Sequence, residues 1–261
     1  MPWETFPAND PRFRIPMHYV LKNRDRLRVA IHSALRYFPA RSFTVVDLGT
    51  YPGSLLRLLC QSLPAGRCRL IGAGLAVTPD FAEMMHHDCG AEILTVNLDP
   101  SNPQLRSKGY PNQIPLPDSS VDFVFALEII EHLVSPTHLL HEAARILIPG
   151  GHLLLTTPNV SRIGNIFKLL IGSSNFDRLR PVDYDDPNDE WRPHFREYAL
   201  AELCSFVEQA GFTIRERRYF QNNDTQHNLK SPAQKCIDLL KLPFGAFPHL
   251  RGDLLVVGSR A

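Results

Sequence analysis

Five short apolar runs, separated by stretches of helical periodicity, constrain this chain more than any other feature of its sequence. They are Phe43–Leu48, Arg69–Leu75, Ile93–Asn97, Val121–Leu127 and His152–Thr157. Their apolar character is nearly continuous instead of alternating, as it is in strands covered on both faces. Helices are expected between them at Ser54–Ser62, from Thr78-Pro79-Asp80 onward, and at Pro136–Leu147. Thr78 supplies an N-cap oxygen, Pro79 fits a first turn, and Asp80 suits the positive end of the helix. Strands that alternate with helices in this way require a mostly parallel sheet with helices packed on both sides.

The flanking segments complete that plan. Residues 1–17 are rich in proline and are expected to form an extended arm. Leu21, Leu27, Ile31 and Leu35 then repeat at near-helical spacing within an amphipathic helix from Tyr19 to Phe38. Residues 158–197 break the alternation with Pro, Asp, Asn and Ser, and an insert of this length reads as a cap or binding segment. Tyr198–Gln209 is a further helix, closed by Gly211. Phe212–Phe220 and Asp253–Gly258 are the last strands and suit an antiparallel edge. The 261 residues fit one domain: arm and helix in 1–40, core in 41–157, cap in 158–197, and C-terminal helix with edge strands in 198–261.

Charge narrows the partners. Lys and Arg total 28 against 27 Asp and Glu, a net charge of +1 that argues against a broad nucleic-acid footprint. Cys60, Cys68, Cys89, Cys204 and Cys236 are scattered without a C-x-x-C pair and read as reduced thiols. The first residues lack the basic start and apolar stretch of a secretory signal, and no run approaches the ~18 uninterrupted apolar residues of a membrane span. A cytoplasmic protein is expected.

In an open α/β sheet, ligands sit beyond the carboxyl ends of the strands. The segment Val45-Val46-Asp47-Leu48-Gly49-Thr50-Tyr51-Pro52-Gly53 ends the first strand there and opens a helix. Gly49 and Gly53 allow a tight turn and close approach of a ligand, and Asp47 places a carboxylate beside it. Ile114-Pro115-Leu116-Pro117-Asp118-Ser119-Ser120-Val121-Asp122-Phe123-Val124 leads into the fourth strand, and Leu127-Glu128-Ile129-Ile130-Glu131-His132-Leu133 follows it. Ala144 to Asn159 reads ARILIPGGHLLLTTPN.

In order and spacing these segments resemble the S-adenosylmethionine-dependent methyltransferases with a Rossmann-like fold, from about residue 43 to 220. The resemblance implies an α/β, doubly wound, mostly parallel seven-stranded sheet with an antiparallel edge and a cap insert. It also implies S-adenosylmethionine as cofactor, contacted by Asp47, Gly49, Thr50, Tyr51, Gly53, Gly74, Leu75, Asn97, Asp99, Leu127 and Glu128. Two positions depart from the family pattern. Tyr51 stands where the middle glycine of D-x-G-x-G-x-G usually sits, and Gly74 where an acid usually accepts hydrogen bonds from the ribose. Gly74 reads either as a backbone accommodation or as a missing ribose clamp. Asp99 reads either as an adenine-side contact or as a solvated loop acid.

Glu128, Glu131 and His132 share one face if they open a helical turn, and two carboxylates with an imidazole suit Mg or Mn. His194 offers a fourth group. The E-x-x-E-H run, the T-T-P-N segment and H-F before a helix resemble the metal-dependent small-RNA 2′-O-methyltransferases. The E-x-x-E-H portion also resembles the quinone-biosynthesis O-methyltransferases. By that resemblance Glu128, Glu131, His132 and His194 are metal ligands. Metal-free relatives carry a similar run, in which one Glu caps backbone donors and the His shapes the cofactor pocket. His132 as a direct base without metal is a further reading, since imidazole suits that role near pH 7, and His194 is the second catalytic candidate.

The insert mixes Arg162, Lys168, Arg178, Arg180 and Arg192 with Phe167, Phe176, Tyr184, Trp191 and several acids. Mixed charge with aromatics suits a sugar, a lipid-linked glycan or an aromatic hydroxyl, whereas an RNA binder would be net basic. Asn159, Arg196 and Tyr198 are candidate acceptor contacts, and the His-x-Arg-x-Tyr step resembles bacterial methyltransferases of surface-polysaccharide and natural-product genes. The expected activity is O-methylation of a small-molecule or glycan acceptor. A degenerate scaffold, suggested by Tyr51 and Gly74, and an RNA 2′-O-methyltransferase are the alternatives.

Overall fold

The computed structural model describes residues 23–75, 77–106, 108–176, 193–222 and 246–261. The expected arm at 1–17, the acid-rich half of the insert and most of 221–250 lie outside the described residues. Helix α1 (Arg24–Ala34) precedes β1 (Phe43–Leu48), α2 (Ser54–Ser62), β2 (Cys68–Gly74), α3 (Pro79–Cys89), β3 (Glu92–Thr95) and the short α4 (Pro103–Arg106). There follow β4 (Val121–Leu127), α5 (Pro136–Ile146), β5 (Leu147–Pro158), α6 (Ile163–Leu170), α7 (Leu200–Gln209), β6 (Phe212–Phe220) and β7 (Asp253–Arg260).

These strands form one seven-stranded sheet in the order β3-β2-β1-β4-β5-β7-β6. Strands β1 to β5 run parallel, while β7 lies antiparallel to β5 and β6. The chain winds outward in opposite directions from β1 and β4, so the switch point falls between them. Successive residues of a strand face opposite sides, and the core divides accordingly. Val45, Phe123, Phe125 and Leu154 pack with α1, α2 and α3, whereas Val46, Val124, Leu153 and Leu155 pack with α5 and α7.

The anticipated end signals operate locally. Thr78 accepts a hydrogen bond from the Phe81 amide at 3.2 Å and so caps α3. Gly211 adopts φ +92° just after α7, the left-handed conformation expected of a terminating glycine. Two stretches differ from expectation. Strand β5 begins at Leu147 and not at His152, because Pro149-Gly150-Gly151 forms a bulge within it, with register shifting between Val121 and Phe123. The described part of the insert contains helix α6, whose Leu169 and Leu170 are exposed together with Ile171 just after it. No helix among the described residues is long and apolar enough to cross a membrane.

Candidate functional site

The β1–α2 turn is built around two left-handed glycines. Gly49 has φ +78°, and a Cβ there would stand 2.9 Å from Ile129 Cδ1; Gly53 has φ +81°, and a Cβ would strike Met85 Sδ at 2.3 Å. Both positions therefore need glycine for conformation and for space. Asp47 is buried at the end of β1, and burial pushes its carboxyl up to about 7, partly offset by the Thr50 hydroxyl. Tyr51 is 43% exposed and packs obliquely on Phe81 at 5.3 Å, so its ring stands at the surface of the turn.

Gly74 ends β2 beside this turn. Its missing Cβ would lie 3.8 Å from Gly49 Cα and 3.9 Å from Thr50 N, ordinary contact distances that do not demand glycine. Asn97 is buried, accepting the Asp99 amide at 2.9 Å and donating to Asn112 Oδ1 at 3.3 Å. Asp99 corrects one of its two readings from the sequence. It is 2% exposed, so it is no solvated loop acid, and its carboxylate accepts the Val134 and Ser135 amides at 2.9 and 3.0 Å. It thereby holds the loop between β4 and α5.

That loop gathers the titratable groups. Ile130–His132 form a single 3₁₀ turn, and Glu128 just before it adopts φ +52°, uncommon for a residue with a side chain. As a result Glu128 diverges from Glu131 and His132. Its carboxylate accepts the Thr156 hydroxyl at 2.9 Å and pairs with Arg26 of α1 at 3.2 Å. Glu131, His132 and His194, by contrast, each bring one ligand atom within 4.8 Å of the others. The expected metal set thus contracts from four residues to three, with Glu128 committed to an ion pair.

Glu131 is wholly buried. Its Oε2 accepts the Thr157 hydroxyl at 2.9 Å, while Oε1 has no hydrogen-bond partner among the described residues and lies 3.9 Å from His132 Nε2. Desolvation, reinforced by the nearby Glu128 charge, raises its carboxyl well above the ordinary value. His132 Nδ1 lies 3.2 Å from the Pro193 carbonyl, and the His132 and His194 rings meet edge to face at 4.7 Å. A buried carboxylate with one open oxygen beside two imidazoles can accept protons or hold a divalent cation.

The expected acceptor contacts separate. Asn159 is fully buried, donating to the His249 and Arg251 carbonyls at 2.9 and 2.7 Å and accepting the Ser161 amide at 3.0 Å. Tyr198 is 3% exposed within the core, and burial pushes its phenol up to about 12. Both are structural anchors, which corrects their reading as acceptor contacts. Arg196 pairs with Glu202 but also lines a cavity of about 360 Å³ together with Val160, Asn175, Phe176, His194, Phe195 and Glu197.

A sequence model described as a methyltransferase domain matches residues 19–217, three quarters of the chain. The chain belongs to the S-adenosylmethionine-dependent methyltransferases. A probable S-adenosylmethionine-dependent methyltransferase of Mycolicibacterium smegmatis is 33% identical over 104 residues, 40% of this chain and 33% of that protein. A ubiquinone biosynthesis O-methyltransferase of Alkalilimnicola ehrlichii is 28% identical over 119 residues, 46% of this chain and 45% of that one. The matched stretch is thus between a third and a half of these relatives' length. Among solved structures, a methyltransferase of Mesorhizobium loti superposes with a TM-score of 0.55 at 17% identity, covering 92% of this chain and 98% of that one. A Haloferax volcanii complex with the Trm112 methyltransferase activator gives 0.57 at 21%, covering 91% and 90%.

Several residues of this methyltransferase's site were not singled out from the sequence. Arg26, Asn165, Glu197 and Asp253 all meet its charged groups. Glu197 alone carried a readable signal, three residues after His194 at the step into α7. The others come together only through the sheet topology.

Proposed function

We propose that this methyltransferase transfers the methyl group of S-adenosylmethionine to a hydroxyl of a small-molecule or glycan acceptor, with His132 and His194 receiving the hydroxyl proton. The convergence of Glu131, His132 and His194 beyond β4 carries this reading. The cofactor is placed on the turn from Asp47 to Gly53 and along the ends of β2 and β3, at the switch point of the sheet. Bound there, S-adenosylmethionine would supply an activated methyl group whose sulfur keeps the electron pair of the broken carbon–sulfur bond, and the imidazole of His132 or His194 would take the proton of the acceptor hydroxyl. The sulfonium is already activated, so alignment of oxygen, methyl and sulfur supplies much of the rate. That the ubiquinone-biosynthesis relatives are O-methyltransferases supports an oxygen acceptor.

The open Oε1 of Glu131 favours a metal-assisted variant of the same reaction. Glu131, His132 and His194 would hold a Mg or Mn ion, whose charge lowers the pKa of a neighbouring hydroxyl. The donor set fits such an ion, one carboxylate oxygen and two imidazole nitrogens.

Calorimetric titration with S-adenosylmethionine, followed by transfer of a labelled methyl group to panels of phenols and sugars, tests the reading. Micromolar cofactor binding, lost in Asp47→Ala, is expected. No binding at millimolar cofactor would leave a degenerate scaffold. Chelation should abolish transfer if a cation is used, and His194→Ala should do the same with cofactor affinity intact; transfer indifferent to chelator retires the metal.

A further inference from the structure

His132 and His194 differ in how their rings are fixed. His132 Nδ1 faces the Pro193 carbonyl at 3.2 Å, and a carbonyl only accepts, so the backbone itself sets that ring's tautomer. His194 Nδ1 instead faces Glu197 Oε1 at 3.3 Å. Glu197 is held from two further sides. Arg162 Nη2 donates to the same Oε1 at 2.7 Å, and Asn165 Nδ2 donates to Oε2 at 2.7 Å. Asn165 is itself buried, the sole buried side chain of α6, and also donates to the Val160 carbonyl at 3.0 Å.

We propose that Glu197 is a positioning residue, whose carboxylate, clamped by Arg162 and Asn165, keeps the proton of neutral His194 on Nδ1 and its lone pair on Nε2. An ionised carboxylate has no proton to donate, so the hydrogen bond forms only with Nδ1 as the donor. Burial alone would raise the Glu197 carboxyl, but the His194, Arg162 and Asn165 hydrogen bonds and the Arg162 charge outweigh it and hold it below its ordinary value. The consequence is that both imidazoles of the site carry their lone pairs on Nε2, the form that accepts a proton or binds a cation. Helix α6 joins the site through this clamp, which links the insert to the post-β4 loop.

The functional meaning rests on the proposed role of His194 toward the acceptor, but the tautomer is read on the free protein. Long-range ¹H–¹⁵N correlation spectra of histidine-labelled protein, at alkaline pH where imidazoles are neutral, distinguish a protonated Nδ1 from a protonated Nε2. His194 is assigned by the signals lost in His194→Gln. The wild type should show His194 with Nδ1 protonated and Nε2 unprotonated. Glu197→Met, which keeps bulk but removes the acceptor, should convert it mainly to the Nε2–H form with His132 unchanged. A wild-type His194 protonated on Nε2 overturns the proposal, and so does a tautomer indifferent to Glu197→Met. Should that variant fail to fold, the wild-type spectrum still decides. Cofactor titration of the same wild-type sample scores the methyl-transfer reading separately.

Discussion

A Cβ added at Gly74 would meet only Gly49 Cα at 3.8 Å and the Thr50 nitrogen at 3.9 Å, so the end of β2 has room for a side chain. Steric accommodation therefore does not demand the glycine, which leaves the missing ribose clamp as the reading that a substitution can test. A carboxylate restored here would gain charge-assisted hydrogen bonds to two hydroxyls, a contribution of about 1.5 kcal/mol or roughly tenfold in affinity. Gly74→Asp is accordingly expected to tighten S-adenosylmethionine binding by about that factor in calorimetry. Unchanged or weaker binding would mean that Gly74 does not face the ribose. The neighbouring Gly72 offers no such opportunity, since a Cβ there would lie 2.7 Å from the Thr50 side chain and 2.8 Å from Ile93.

At the scale of elements, the loop between β4 and α5 depends on an acid supplied by the segment after β3. Asp99 satisfies the Val134 and Ser135 amides just ahead of α5, whose N-cap residue Ser135 makes no side-chain cap of its own. Asp99→Ala is expected to cost about 1–3 kcal/mol and to expose the amides of residues 130–135 to hydrogen exchange ahead of the strands. Exchange that stays uniform would show that the loop holds without it. The strands and most helix ends are legible in the sequence because apolar runs, Thr78 and Gly211 act on their own neighbourhood. Asp99 and Asn159 are not, because an acid or amide past a strand end reads the same whether it faces a ligand or a backbone group from a distant segment. Asp99 serves amides 35 and 36 positions away, and Asn159 serves carbonyls 90 and 92 positions away. Glu128 escapes a sequence reading for another reason. Helical spacing puts it with Glu131 and His132, but its left-handed backbone turns it toward Arg26.

For the whole molecule, the sheet edge at the carboxyl ends of the parallel strands concentrates acids whose protonation favours the folded state. Burial pushes Asp47 up to about 7, burial and the Glu128 charge push Asp253 up to about 7, and the same two causes raise Glu131. In each case the folded chain keeps a proton that the unfolded chain has lost, so stability is full below the ordinary carboxylate range and declines as pH rises toward 7. A shift from 3.8 to about 7 is roughly three units, at most about 4 kcal/mol for each of Asp47 and Asp253. Acids held low by arginine or histidine, Asp88, Glu142 and Glu197, act in the opposite sense, and their contribution is lost as pH falls below the ordinary carboxylate value. The ligand-free protein should therefore melt at lower temperature at pH 8 than at pH 5, and Asp47→Asn combined with Asp253→Asn should flatten that slope. A ligand bearing an ammonium or a divalent charge favours the ionised carboxylates and restores what burial costs. Stabilisation by S-adenosylmethionine should accordingly be larger at pH 8 than at pH 5 in thermal melts at equal saturation. A wild-type melting temperature that is flat between these pH values, with the double variant indistinguishable from it, would remove the strain assigned to this edge of the sheet.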